Sequence, residues 1–318
     1  MPDLTEIKGI NRTNDYLFKR IFGSEEGKEA LIGFLNAVLK LSSGQELTSV
    51  ELLDRELDPK YLLDKAARLD ILAKTATGTL VNIEVQVVNK YNIDKRTLFY
   101  WAGLYHGQLG SGKDFINLRK TITINILGFN WFEDTGKYHY TFHIREDQTG
   151  ELLNDDLEIH FLELRKITEL KRKPLNDLEE WLLYLNNIQG EEMEEIAMGN
   201  PGIRKALTIE QIFLKNKKER RLYELREKAV RDEISMIAGA RAEGEAKGRA
   251  EGRAEGRAEG KVDAICTFLN ARFGDASKGL QRKVKHINKL EALDRIINKI
   301  YTADLLEDAE AIIDNAVK

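Results

Sequence analysis

Apolar and polar residues alternate through residues 80–87, with Ile83, Val85 and Val87 set against Asn82, Glu84 and Gln86. The alternation predicts a half-buried strand whose polar residues share one face. A second apolar run precedes it, with Asp70 between Leu69 and Ile71, and Thr77-Gly78 separates the two as in a hairpin. Loop length then decides where Asp70 points. A two-residue turn at Thr77-Gly78 sets Asp70 opposite Val85, among the hydrophobes. A three-residue loop with Gly78 in or beside it sets Asp70 opposite Glu84 or Gln86. Such loops commonly need a residue at positive φ, which glycine supplies cheaply. A one-residue slip inverts the whole face, so the three-residue loop is predicted and Asp70, Glu84 and Gln86 converge.

The rest of the chain reads as mixed α/β and then all-helical. EEGKEALIGFLNAVLKL (residues 25–41) has apolar residues at helical spacing. LTSVELLDREL (47–57) is predicted as a strand, followed by the hairpin and a helix from about Asn92 to Leu109. TITINILGF (121–129), YHYTFHIRE (138–146) and LEIHFLEL (157–164) are predicted strands. This alternation favours a sheet with helices on its faces. From about Leu175 the pattern turns helical and continues into the 230s.

Residues 214–231 carry eight Lys or Arg against three Glu. They read either as a solvated helix face or as a phosphate-contacting helix. Residues 240–261 follow, a four-residue Arg-Ala-Glu-Gly repeat over their later half. Glycine at every fourth position costs a helix about 1 kcal/mol each relative to Ala. Arg and Glu sit two apart, about 200° around a helix, so each sign forms its own stripe. Like charges recur at i,i+4 and give no local support. The repeat is either a flexible linker or a helix that pairs with a partner. The remaining residues read as three or four short amphipathic helices, giving expected divisions at 1–232, 233–261 and 262–318.

Composition narrows the setting. Hydrophobic content of 42% is ordinary for a chain that buries a core. No apolar run approaches a membrane span, and the first residues lack a signal-peptide core. A single cysteine, Cys266, excludes an intrachain disulfide and reads as a small buried hydrophobe in a cytoplasmic protein. The net charge of −4 carries no global signature of nucleic-acid binding, although a local groove can still be basic. The five histidines show no metal-ligand spacing, and His139 and His143 read as exposed strand residues.

Two carboxylates on adjacent strands, Asp70 and Glu84, offer hard oxygen ligands of the kind Mg²⁺ takes. A metal held there would polarise a phosphodiester and acidify a bound water. A solvated sheet face would show the same residues, and spacing alone does not choose.

The ordered set NDYLFKRIFGSEEGKEALIGFLNAVL (14–39), LDILAK, NIEVQV, KRTLFYWAGLYHGQLGSG (95–112) and TITINILGF resembles the Rpn family. These are recombination-promoting nucleases, often labelled transposases, of the PD-(D/E)XK nuclease superfamily. The resemblance covers roughly residues 10–230. It implies a restriction-endonuclease-like core, a central mixed sheet flanked by helices, with a small helical C-terminal module. It also implies a metal-dependent DNA endonuclease using Mg²⁺, with Ca²⁺ or Mn²⁺ as other ions. Asp70 and Glu84 match the motif acids, and the Val85 backbone carbonyl would be a further metal ligand by analogy. Gln86 stands where most superfamily members have Lys, a replacement the Rpn family itself shows. A neutral amide cannot supply a cation, so Lys19, Lys74, Lys95 or Arg96 would have to bring the positive charge to the phosphate. Asp15, on the first helix with Lys19, would add a further acidic ligand.

The leading expectation is therefore a DNA endonuclease active in recombination. An RNA substrate stays open, and a homodimer is expected through the repeat and tail. A reading from another class is a non-catalytic DNA-binding or oligomerising protein with a decayed nuclease core. Retention of both acids argues against decay.

Overall fold

The computed structural model describes residues 9–41, 44–53, 69–90, 92–133, 136–167 and 175–317. Six strands form one mixed sheet: β1 (Val50–Leu52), β2 (Ile71–Thr75), β3 (Leu80–Gln86), β4 (Thr121–Leu127), β5 (His139–Phe142) and β6 (Leu157–Glu163), ordered β1-β2-β3-β4-β6-β5. β3–β4 and β4–β6 are parallel, and the other pairs are antiparallel. The expected strand at 47–57 is shorter, since β1 spans Val50–Leu52 and residues 54–57 lie outside the described residues.

The hairpin takes the three-residue loop. Ile71 pairs with Ile83 and Ala73 with Val81, which brings Asp70 level with Glu84 one step further on. Thr75 N–H donates to the Thr79 carbonyl across Ala76-Thr77-Gly78, and Gly78 holds φ +90°, a conformation an L side chain rarely adopts.

The two sheet faces differ in what covers them. Ile71, Ala73, Val81, Ile83, Ile122, Ile124 and Ile126 join one core with α1 (Asp15–Phe22), α2 (Lys28–Leu39), α5 (Asp177–Leu185) and α7 (Pro201–Lys215). Trp181 of α5 packs so closely on Gly33 and Gly202 that a Cβ at Gly202 would lie 2.9 Å from its ring. Across the other face runs α3 (Ile93–His106), whose Ile93 and Trp101 cluster with Leu127, Ile159 and Phe161, while Leu104 packs on Leu69 and Leu72. The face that carries Glu84 is thus covered by a helix, and the residue is buried.

A buried ion pair ties the start of the described chain to the helical layer. Arg12 donates through Nε and Nη2 to the two carboxylate oxygens of Glu210 on α7, at 2.8 and 3.2 Å, and through Nη1 to the Tyr184 and Ile188 carbonyls. Short helices α4 (Leu164–Ile167) and α6 (Glu191–Gly199) complete this layer.

The chain divides into two compact units, Met1–Asp232 and Glu233–Lys318. Helix α8 runs from Lys217 to Phe273, so the repeat is helical over residues 240–261. The early part of the repeat has opposite-sign i,i+4 pairs, Arg241–Glu245 at 2.9 Å and Lys247–Glu251 at 3.9 Å, which the strict later half lacks. The second unit has its own core. Ile265 and Leu269 of α8 pack with Leu280 and Val284 of α9 (Lys278–Lys285), Leu293, Ile296 and Ile300 of α10 (Leu290–Ile300), and Ile313 of α11 (Leu306–Val317). Cys266 is half-buried against this core, and burial pushes its thiol pKa up. Among the described residues no helix is long and apolar enough to cross a membrane.

Candidate active site

β2 begins at Ile71 while β3 continues to Gln86, so among the described residues no strand pairs with the far end of β3 on the β2 side. Asp70 fills that place. Its Oδ2 accepts the Val85 N–H at 3.0 Å, and its own N–H donates to Glu84 Oε1 at 3.3 Å. The backbone N–H and C=O of one strand residue point to the same edge, so the Val85 carbonyl opens toward Asp70 as well.

Two cations approach these acids from separate helices. Asn14 caps α1 by accepting the Tyr16 and Leu17 N–H groups, and Leu17, Phe18, Ile21 and Phe22 turn into the core. Lys19 is left on the outer side, with Nζ 2.8 Å from Asp70 Oδ1 and 3.9 Å from Asp15 Oδ2. From α3, Arg96 donates through Nη2 to Glu84 Oε2 and through Nη1 to Gln86 Oε1, each at 3.3 Å. Its guanidinium carbon lies 5.1 Å from the centroid of the Tyr100 ring. Helix α8 also borders α1, where Tyr223 and Glu227 accept from Asn11 and Arg226 lies 3.8 Å from Asp15.

Asp70, Glu84, Gln86, Lys19, Arg96 and Asp15 therefore belong to one connected group. Lys74 and Lys95 do not join it. Lys74 is exposed opposite Leu80, about 13 Å along β2 from Asp70. Lys95 is exposed on α3. No ion pair links either to the two acids among the described residues.

The electrostatics of Glu84 are unusual for a carboxylate. Burial, and then the neighbouring Asp70, push its pKa up to about 8, against the pull of Arg96 and Lys19. Burial thus makes the charged form of Glu84 costly, and a cation joining the two acids would favour that form.

A second constellation escaped the sequence reading. His143, Asp155 and Glu158 bring one ligand atom each to within 4.8 Å of one another, although they come from separate segments around β5 and β6. Lys120 already lies between the carboxylates, 2.7 Å from Asp155 and 2.6 Å from Glu158. Burial raises the Glu158 pKa, but bonds from His160 and Lys120 outweigh it and hold the group at about 2. His139 and His143 are half-buried, not exposed. Nε2 of His139 meets Nδ1 of His160 at 2.8 Å, and burial followed by His160 lowers the His139 pKa to about 3. His143 Nδ1 bonds the Leu157 carbonyl at 3.2 Å. No motif spacing could have revealed this cluster, because strand pairing and the bend at residues 153–156 assemble it.

The family model of the PD-(D/E)XK nuclease family transposase matches residues 12–240. No curated protein and no solved structure matches the chain.

Proposed function

The chain belongs to the PD-(D/E)XK nuclease family transposases, and from that premise we propose that it is a metal-dependent DNA endonuclease that hydrolyses phosphodiester bonds and promotes recombination. The observation that carries this reading is the buried Glu84 carboxylate beside half-buried Asp70 at the end of β3, with Lys19 and Arg96 paired to the two acids.

The donor set fits a hard divalent cation. Asp70 and Glu84 offer carboxylate oxygens and Val85 a backbone carbonyl, with no sulfur or imidazole among them. These three would hold Mg²⁺, or Ca²⁺ or Mn²⁺ in its place, and Asp15 lies near enough to Lys19 to tune the same field. When bound, such an ion polarises a phosphoryl oxygen and lowers the pKa of a coordinated water.

The chain's own side chains supply the rest. Lys19 and Arg96 present positive charge beside the acids, where a phosphodiester would need its own charge offset. The Gln86 amide can orient a water or a phosphate oxygen. Held between two helices and a strand end, these groups need little rearrangement to meet a substrate. DNA is the proposed partner, and a second copy of the chain pairing through the repeat and tail would bring two sites to one duplex.

Plasmid cleavage by the purified protein tests this directly, in Mg²⁺, in EDTA, and with Asp70→Ala. Nicking or linearisation should occur in Mg²⁺ alone and vanish in the variant. Cleavage that survives Asp70→Ala places the chemistry elsewhere, and absence of cleavage on both DNA and RNA favours the non-catalytic binding reading.

A further inference from the structure

Gln86 is uncharged, yet its amide is not free to turn. Its Oε1 faces Arg96 Nη1 at 3.3 Å. A guanidinium carries five N–H donors and no acceptor, so only the oxygen end of an amide can face it. The Gln86 NH₂ group is thereby directed away from Arg96 as a donor. Without Arg96 the same amide could present either end to a ligand.

Arg96 is itself well placed. Glu84 Oε2 holds Nη2, Gln86 holds Nη1, and the Tyr100 ring lies beside the guanidinium carbon. Its side chain is 32% exposed, so an anion can reach it from solvent. Nε is buried and has no hydrogen-bond partner, a costly state for a charged donor. Lys19, the other nearby cation, is engaged with Asp70 and Asp15 instead.

We propose that Arg96 and Gln86 form one two-residue phosphate-binding unit: Arg96 supplies the charge and, by holding Gln86 Oε1, fixes the amide with its NH₂ group toward the substrate. This rests on the nuclease reading above. The unit divides between β3 and α3 what a single lysine at position 86 would supply, namely a cation and a donor on one strand. It follows that Gln86→Lys should make Arg96 dispensable. A guanidinium that merely neutralised Glu84 would predict no such rescue.

The test uses the full chain in two settings. In a Glu84→Gln background, where the carboxylate charge is gone and cleavage is not expected, duplex DNA binding is measured in Mg²⁺ over a range of salt. Arg96→Met should flatten the slope of log K against log salt by about 0.9, the value for one phosphate contact, and adding Gln86→Lys should restore it. A slope unchanged by Arg96→Met overturns the unit and leaves Arg96 as a neutraliser of Glu84. If the Glu84→Gln protein binds no DNA, the nucleic-acid reading itself falls and the unit with it.

In the Glu84 protein, Arg96→Met should lower kcat for cleavage by about 100-fold, as loss of one transition-state donor does. Gln86→Lys in the same chain should recover at least about ten-fold of it. Arg96→Lys, which keeps the charge but loses the fork that holds two acceptors, should recover less. A double variant as inactive as Arg96→Met overturns the proposal, provided its unfolding midpoint matches that of the active chain.

Discussion

Replacing Glu84 by Gln should stabilise the metal-free protein at neutral and mildly alkaline pH. The residue is 2% exposed, and its pKa stands at about 8 against an ordinary 4.5. The folded state therefore holds this proton more tightly than the unfolded chain does. Such a group contributes most below the unfolded pKa, and stability falls as pH rises from there through the folded pKa. At 1.36 kcal/mol per unit, the unfolded chain's release of this proton lowers stability at pH 7 by about 3 kcal/mol relative to low pH. Gln cannot ionise, keeps the shape, and can still accept from Arg96. The readout is urea unfolding followed by tryptophan fluorescence, because Trp101, Trp131 and Trp181 all lie within Met1–Asp232. In EDTA the two proteins should match at about pH 4 and separate by about 3 kcal/mol at pH 7, with the variant the more stable. Mg²⁺ should then raise the stability of the Glu84 protein and leave the variant nearly unmoved. Parallel pH curves, or a variant weaker throughout, would refute the burial argument. Equal stabilisation of both by Mg²⁺ would mean that the ion is held elsewhere.

Three further outcomes follow from the same structure. Gln86→Lys alone should retain cleavage, and calorimetry should show that it still binds Mg²⁺; loss of metal binding would mean the pocket is built around a neutral side chain. Arg12→Met should destabilise the first unit by about 3–5 kcal/mol in denaturant melts, since it leaves Glu210 buried and unpaired, whereas a loss within experimental scatter would show that the carboxylate finds another partner. Deleting residues 240–318 should give a monomeric core by light scattering with its chemistry intact, and a core that stays dimeric would reduce the repeat to a tether.

The local part of this site was already legible in the order of residues. Alternation at 80–87 and the glycine at 78 set the hairpin register, because a strand repeats every two residues and a three-residue loop needs one positive φ. That arithmetic sets Asp70 opposite Glu84 or Gln86, and the observed loop at residues 76–78 decides for Glu84. The placing of Asp15 and Lys19 one helical turn apart on α1 is likewise legible. Alternation says which residues share a face, however, and not what lies over it. A solvated face and one roofed by α3 have the same sequence pattern, and only packing decided that Glu84 is buried and its pKa raised. Of four candidate cations equally plausible on the chain, the fold brought Lys19 and Arg96 to the acids and left Lys74 and Lys95 outside. The insertion of β6 between β4 and β5 was equally invisible, and with it the meeting of His143, Asp155 and Glu158. Register and helical phase are set by neighbours a few residues apart, so the sequence specifies them. Which distant element covers a face depends on the burial of the whole core, and so only the tertiary structure decides it.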